Sequence, residues 1–392
     1  MRRNICIVSE CQQVPGVGGT ETVSFILKEE FKKNGYNVFS LFFTQKTTLT
    51  SGDMLFPERD KIISNKNKKF LINTIKENHI DFILSQGTAY DDILILCIEA
   101  KKITPVRLIY TNHFNPLMGI KDYDDYNERR IYRINNPIKK LLASFLIEIK
   151  RPLYVFNGKK SLKEKYSKYE IEQIDAFVSL NEEYSRFSSK IFASHYKDRF
   201  HTIANPIVID NPTRNEIKEN IVLFVGRLTS QKRLDRLMYI WNSICKAFPT
   251  WKLVVVGDGD YSHEYKRIAR DLGLMNIEFV GQQPSEEYFK KSKVVCMTSS
   301  HEALPMVLIE AQKYGCVPIA YNSFEAATDI IENGYNGLLI KPFKQKEYAK
   351  ALSTLMSEES YRESLAANGS AFIEKFNIEI VIKDWIKLLT SL

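Results

Sequence analysis

A chain of 392 residues, 44% hydrophobic and 26% charged, has the composition of a soluble globular protein and the length for two domains, each with its own core. No apolar run nears the ~18 residues of a membrane span, Met1-Arg2-Arg3-Asn4 leads straight into an apolar strand instead of a signal-peptide core, and six scattered cysteines without a C-x-x-C pair exclude a zinc ribbon or a disulfide framework. The formal charge of +8 is concentrated: residues 101–170 hold 16 Lys/Arg against 7 Asp/Glu, which points to an anionic surface or an acidic ligand, and no nucleic-acid module signature accompanies it.

Ile5 opens a buried strand at 5–9. The loop 12–19, QQVPGVGG, follows, and 20–33 has helical spacing with Val23, Ile26, Leu27 and Phe31 on one face. Gly35 stops that helix, and 38–43 is the next strand. A glycine-rich loop between strand and helix lets backbone approach a phosphate or a sugar, or is only a tight turn. The spacing is not G-x-G-x-x-G and no acid ends the second strand, which disfavours a nicotinamide cofactor. Residues 82–84 and 108–110 are further strands, and His113 stands just past the second. The carboxyl end of a parallel strand is where a ligand-contacting residue belongs, although a lone histidine there is equally at home as a structural one.

Residues 116–170 read as less regular, basic and rich in tyrosine. They contain one amphipathic helix, with Ile138, Leu141, Leu142, Phe145, Leu146 and Ile149 in one stripe flanked by Lys139, Lys140, Lys150 and Arg151. That stripe either packs on its own domain or lies on an anionic membrane surface through 138–151. A strand at 175–179 and a helix at 182–191 lead to Thr202-Ile203-Ala204-Asn205-Pro206-Ile207, and 210–220 reads as a polar interdomain linker.

The second half restarts the pattern. A strand at 221–225 turns out through Gly226-Arg227-Leu228, and Lys232 begins a helix to about 248. Two fixed cations at a strand's carboxyl edge, Arg227 and Lys232, suit a diphosphate without a metal, or are solvated surface charges. The strand at 253–256 ends in Gly257-Asp258-Gly259-Asp260, where the paired aspartates could hold Mg²⁺ or Mn²⁺ but the glycines favour a plain turn. A helix at 263–272 and a strand at 277–280 lead to Gly281. Residues 294–297 form a buried strand, Glu302-Ala303-Leu304-Pro305 a tight connection, and 306–314 a helix with Pro305 at its first position and Gly315 as its stop; 317–320 is again a strand. A helix N-terminus there can dock an anion, and Glu310 can accept from two adjacent ribose hydroxyls, unless Glu302 and Glu310 are only helix-flanking charges. Strands and helices alternating in two halves predict two Rossmann-like domains across a cleft.

Gly18-Gly19, VGRLTSQKRLDRL at 225–237, VVVGDGD at 254–260, FVG at 279–281 and E-x7-E at 302–310 resemble the retaining, nucleotide-sugar-dependent glycosyltransferases of family 4. The resemblance covers the whole chain, more strongly in its second half. It implies an α/β GT-B architecture: an N-terminal acceptor-binding domain at 1–208, a C-terminal donor-binding domain at 209–371, and a final helix at about 372–392 crossing back. It implies a catalytic set of His113, Glu302, Arg227 and Lys232. Donor binding falls to Gly18, Gly19, Asn205, Gly226, Arg227, Lys232, Gly257, Gly281, Ala303, Leu304, Pro305, Met306 and Glu310, with no metal and no cofactor. The family often has Gly where this chain has Ala303, and Gly or an aromatic residue where it has Leu304-Pro305, departures that bear on the sugar contacts. The implied reaction moves a hexosyl or N-acetylhexosaminyl group from a UDP- or GDP-sugar to a glycan or lipid-linked acceptor in bacterial-type cell-surface glycan synthesis, in the cytoplasm or at the inner face of the membrane. Other readings are a nucleotide-sugar epimerase, a phosphorylase, and a non-catalytic nucleotide-sugar sensor.

Overall fold

The structure is a computed structural model that describes residues 3–16, 18–87, 92–132, 136–167, 170–192, 194–209 and 217–392. Val17 of the glycine loop and 210–216 of the expected linker lie outside the described residues. The chain forms two compact units. The first comprises Met1–Pro116, Leu153–Val208 and Phe376–Leu392, and the second Leu117–Pro152 and Ile209–Lys375.

Unit 1 is built on seven strands: β1 (Asn4–Cys11), β2 (Asn37–Thr44), β3 (Asp53–Leu55), β4 (Phe82–Gly87), β5 (Arg107–Asn112), β6 (Ala176–Ser179) and β7 (Phe200–Thr202). They pair in the order β3-β2-β1-β4-β5-β6-β7, every pair parallel. Helices α1 (Gly19–Lys33), α2 (Asn65–Glu77) and α3 (Asp92–Lys101) provide the crossovers that parallel neighbours require. A central parallel strand is covered on both faces, so its apolar residues run on without alternation. In β1, Ile5, Cys6, Ile7 and Val8 are all fully buried. Gly35 takes φ +86° just beyond α1, the left-handed stop its sequence position suggests.

Unit 2 has six strands: β8 (Glu219–Val225), β9 (Lys252–Val256), β10 (Ile277–Gly281), β11 (Ser292–Met297), β12 (Val317–Tyr321) and β13 (Leu338–Ile340). Their order, β10-β9-β8-β11-β12-β13, is again all parallel. Chain direction across the sheet reverses between β8 and β11. Ligands of open parallel sheets bind at such a point, beyond the carboxyl ends of the strands. The core on one face gathers around Trp241, with Phe224, Val255, Cys296, Ile319 and Leu352 among its buried members.

Between the two halves the chain is more helical than its composition suggests. Residues 116–170, expected to be irregular apart from one helix, hold α4 (Met118–Tyr132) and α5 (Pro137–Ser167), a 31-residue helix with Pro152 inside it. The 117–152 segment, assigned by sequence to the first domain, groups with the second unit. Helix α6 (Glu182–Phe192) follows. Unit 2 then contributes α7 (Leu234–Ile244), α8 (Ser262–Asp271), α9 (Glu286–Lys291), α10 (Met306–Lys313), α11 (Ala327–Ile330), α12 (Gln345–Ser357) and α13 (Glu359–Phe372).

The last helix, α14 (Ile378–Ser391), packs on α1 within unit 1. Trp385 meets Phe31 edge to face at 6.1 Å, and both are buried. The backbone enters this position through Ile207, whose N–H donates to the Phe376 carbonyl at 2.8 Å and whose carbonyl accepts from Ile378 N–H at 2.9 Å. Trp385→Ala is expected to lower stability by about 3–5 kcal/mol, the range for emptying a buried aromatic site. Urea unfolding measures this; an unchanged midpoint would mean that α14 adds nothing to the core.

Candidate functional site

The carboxyl edge of the second sheet is assembled by backbone meeting backbone. Gly257 sits at φ +132° with its N–H on the Gly281 carbonyl at 2.7 Å, and a Cβ placed on it would lie 2.0 Å from the Gly226 carbonyl oxygen. Only a residue without a side chain fits there. The Gly226 N–H returns to the Val256 carbonyl at 3.0 Å, and Leu228 N–H to the Asp258 carbonyl at 2.9 Å. The loops after β8, β9 and β10 are thereby stacked, with Leu228 buried beneath and Arg227 left exposed at the edge. Asp258 is also exposed, and its carboxylate accepts from Gly259 N–H at 2.8 Å, which holds its pKa below the ordinary range. Among the described residues no cluster of three His, Cys, Asp or Glu side chains suited to a metal occurs.

Across the switch point the loop after β8 is stitched to the loop after β11. Gln231 donates through its side chain to the His301 carbonyl at 2.7 Å and accepts from Ser300 N–H at 2.8 Å on its own carbonyl. The Thr298 hydroxyl donates to the Arg233 carbonyl at 2.9 Å. These bonds hold Lys232 against Glu302, Nζ to Oε1 at 2.7 Å, with both side chains mostly buried. Lys232 does not begin a long helix, as the sequence suggests. It closes a 3-10 turn at Ser230–Lys232, Arg233 takes the left-handed conformation at φ +50°, and α7 starts at Leu234 and ends at Ile244.

Beyond Glu302 the chain passes Ala303, buried Leu304 and Pro305 into α10. Pro305 is the extended cap of this helix, one position before the first helical residue it was expected to occupy, and no side chain caps the first turn. Its N-terminal N–H groups and partial positive charge therefore face the loop that carries Glu302, with Met306 as the first helical residue. Glu310 lies one turn further along and is partly exposed by area, but loss of water around its carboxyl lifts the pKa to about 7, with Lys313 opposing the shift. Gly281, at φ +76°, closes β10 on the same edge.

A buried charge cluster was not anticipated from the sequence. Arg236 donates to Asp125 at 2.7 Å and also to Glu128, and Arg233 donates to Asp125 and, at 3.0 Å, to Asp235. The Arg236 guanidinium also lies 4.7 Å from the Phe343 ring centroid and 5.8 Å from that of Tyr321. Asp125 and Glu128 project from one side of α4. On the same helix Asp122 meets His301 Nε2 at 3.0 Å, and Lys121 meets Glu325 at 2.9 Å. Burial lifts the Glu128 carboxyl and lowers the Arg236 guanidinium from their usual ranges in spite of the pairing. Helix α4 is thus fastened, turn after turn, to the loops that carry Lys232 and Glu302. The R-x-x-R spacing at 233–236 was a signal in the sequence, although Arg233 stands just before α7 and only Arg236 lies on the helix.

The remaining site candidates belong to unit 1. Gly18 is the extended cap of α1 and Gly19 its first residue, where an added Cβ meets nothing within 4 Å. His113 follows β5, with Nε2 facing Gln86 Oε1 at 2.5 Å, so that Nε2 carries the proton and Nδ1 is left as an acceptor. Nδ1 is buried without a partner. Burial pushes the His113 pKa down to about 4, and the ring stays neutral at physiological pH. Asn205 is buried beside the Ile207 clamp that receives the last helix.

Residues 209–372 match the family model of glycosyl transferases group 1. The amylovoran biosynthesis glycosyltransferase AmsD of Erwinia amylovora is 33% identical over 174 residues, which is 44% of this chain and 48% of the relative. An alpha-1,4-N-acetyl-D-galactosaminyltransferase of Campylobacter jejuni, named for a diphosphoundecaprenol-linked GalNAc substrate, is 27% identical over 212 residues, 52% of this chain and 58% of its own. The matched stretch spans about half the length of these curated relatives. In three dimensions the likeness extends along the whole chain: the crystal structure of Anabaena HepE with UDP and glucose aligns over 100% of both chains with a TM-score of 0.73 at 15% identity. The fold, two Rossmann-like units on parallel sheets, is that of the GT-B glycosyltransferases.

Gly257→Ala tests the backbone stacking at the sheet edge. Its Cβ has no room against Gly226 and its φ is one that alanine rarely adopts, so a loss of at least about 2 kcal/mol is expected from strain alone. Calorimetric melting would show the loss. Wild-type melting would mean that the two loops separate freely.

Proposed function

We propose that the chain transfers a sugar from a UDP- or GDP-sugar to an acceptor hydroxyl, with retention at the anomeric carbon, in the synthesis of a bacterial-type surface glycan. The observation that carries this reading is the Lys232–Glu302 pair at the switch point, beside the exposed Arg227 and the uncapped α10. A site with two cations, helix N–H groups and no metal-ligand cluster among the described residues suits a diphosphate leaving group. The likeness to a structure solved with UDP and glucose supports a nucleotide-sugar donor, and the relatives' names support a glycan acceptor, free or lipid-linked, of hexosyl or N-acetylhexosaminyl groups.

On donor binding, Lys232 exchanges the Glu302 carboxylate for the diphosphate, and Arg227 joins it. Glu302, released, accepts from hydroxyls of the transferred sugar. Glu310 accepts from the ribose hydroxyls, and Gly226, Gly257 and Gly281 keep backbone close to the nucleotide. Of the unit 1 residues, Gly18 and Gly19 are assigned to the diphosphate and the acceptor, Asn205 to donor binding, and neutral His113 to the sugar as a hydrogen-bond partner. The bond from the anomeric carbon to phosphate oxygen breaks, and the bond to acceptor oxygen forms on the same face. The acceptor's proton passes to the departing phosphate, so no carboxylate nucleophile is needed. Arg227, Lys232 and the helix N-terminus stabilise the charge that develops on the diphosphate.

The reaction itself is tested with a panel of nucleotide sugars and mixed acceptors: release of nucleoside diphosphate only when acceptor is present is the expected result. Turnover of donor without acceptor would indicate an epimerase. Activity is expected to survive excess EDTA, and an absolute requirement for Mn²⁺ or Mg²⁺ would move the diphosphate site to Asp258 and Asp260.

Glu310 gives a sharper test. Ribose hydroxyls donate to its ionised form, so binding lowers a pKa that stands at about 7 in the free protein. Nucleoside diphosphate binding is therefore expected to release a proton near neutrality, to tighten as pH rises through about 7 and to weaken as pH falls below it. Glu310→Gln is expected to cost roughly 1–3 kcal/mol of binding and to flatten this pH dependence. Calorimetry in buffers of different ionisation enthalpy reads both; an unchanged profile in the variant would remove Glu310 from the ribose.

A further inference from the structure

In α5, Ile138, Leu141, Leu142, Phe145, Leu146 and Ile149 recur at the spacing of one helical face, and each is more than half exposed, from 52% at Leu146 to 73% at Leu141. The opposite side of the same helix is the one turned to the protein. Ser144, Ile147 and Arg151 line a cavity of about 660 Å³ together with α4 residues such as Lys121 and Asn127. Arg151 grips both carboxylate oxygens of Asp124 at 2.8 Å. A helix that packs on its own domain buries its apolar stripe and wets its polar side. This one does the reverse, which removes the core-packing reading of the stripe.

A contiguous row of six large apolar side chains marks an interaction surface. Charge decides what covers it. Helix α5 carries eight Lys or Arg against two Glu, a net +6. Lys139 and Lys150 are exposed, and at 100° per residue both fall along one border of the stripe. Arg151, expected from the sequence to be a fourth flanking cation, is already neutralised by Asp124. A second copy of this helix would bring a matching stripe but also a matching +6, and like charges would face each other. A surface of anionic lipid offers acyl chains to the stripe and phosphates to the lysines. No described helix is long and apolar enough to cross a membrane.

We propose that the outward face of α5 lies flat in the headgroup boundary of an anionic bilayer, with Ile138 through Ile149 seated towards the acyl chains and Lys139 and Lys150 at the lipid phosphates. The inference stands apart from the glycosyl-transfer reading and its test uses no activity.

The full chain is sedimented with vesicles of phosphatidylcholine alone or with added phosphatidylglycerol, at low and at high salt. It is expected to pellet with the anionic vesicles at low salt and to be released by salt. Leu141→Ser with Phe145→Ser is expected to weaken this binding roughly tenfold or more, and Lys139→Glu with Lys150→Glu to abolish the preference for anionic lipid. These side chains are exposed, so both double variants should melt as the wild type does, and the charge variant leaves the apolar face intact should the other one misfold. Equal recovery in the supernatant with neutral and anionic vesicles at low salt overturns the proposal. So does a wild-type dimer in light scattering that the serine variant dissociates while no vesicle binding is seen, because a second copy then covers the face.

Discussion

The Gly226 carbonyl, which occupies the place a side chain at position 257 would need, governs the candidate site. Three strand ends must converge before any side chain can be aimed, and they converge only because the contact has no Cβ in it. That stacking turns Arg227 outward and Leu228 inward. It also sets where the 3-10 turn begins, and so where Lys232 stands relative to the loop after β11. The chemistry of the site is carried by side chains, and their positions are set by main-chain hydrogen bonds together with those of the Gln231 and Thr298 side chains.

The Lys232–Glu302 pair fixes two charged side chains against each other. Each group, mostly shielded from water, would be costly to leave alone. Paired, each holds the other in place at the switch point. In the proposed reaction each then trades one charge-assisted partner for another, so little reorganisation accompanies binding. In the proposed reaction His113 would contribute in a different manner: its ring stays neutral through physiological pH and would bring no titration of its own to the rate.

Much of the fold was legible because parallel strands buried on both faces write themselves as short apolar runs. Residues 5–8, 253–256 and 294–297 do so, each followed by glycine or a polar turn. The short edge strands β3, β7 and β13 left no such mark, being three residues long and only partly buried. Helices α4 and α5 were under-read for a physical reason. Their inward faces are held by Asp124, Asp125, Glu128 and Arg151, so the apolar periodicity that normally reports the buried side reports the exposed one. The position of Lys232 relative to α7 was misjudged because Arg233 occupies a left-handed conformation usually left to glycine, and the break it makes has no signature in residue type. For the site, Glu302, Lys232 and the glycines could be picked out in the sequence. The contacts around them, Gln231 with His301 and His301 with Asp122, could not, because they depend on loops and on a helix nearly two hundred residues away in the chain.

Neither unit is continuous in sequence. The first is completed only by its final segment, Phe376–Leu392, and the second takes Leu117–Pro152 from a stretch made long before its own sheet. At a synthesis rate of roughly 5–20 residues per second, the ~345 residues that separate the end of α1 from the start of α14 take roughly 20–70 s to emerge. Through that interval Phe31 has no Trp385 to meet, and Asp125 and Glu128 are out of the ribosome before the arginines that neutralise them. Folding of this chain is therefore a matter of waiting as much as of collapse. The apolar side of α1 and the acidic side of α4 are the surfaces that a chaperone would find open while the nascent chain grows.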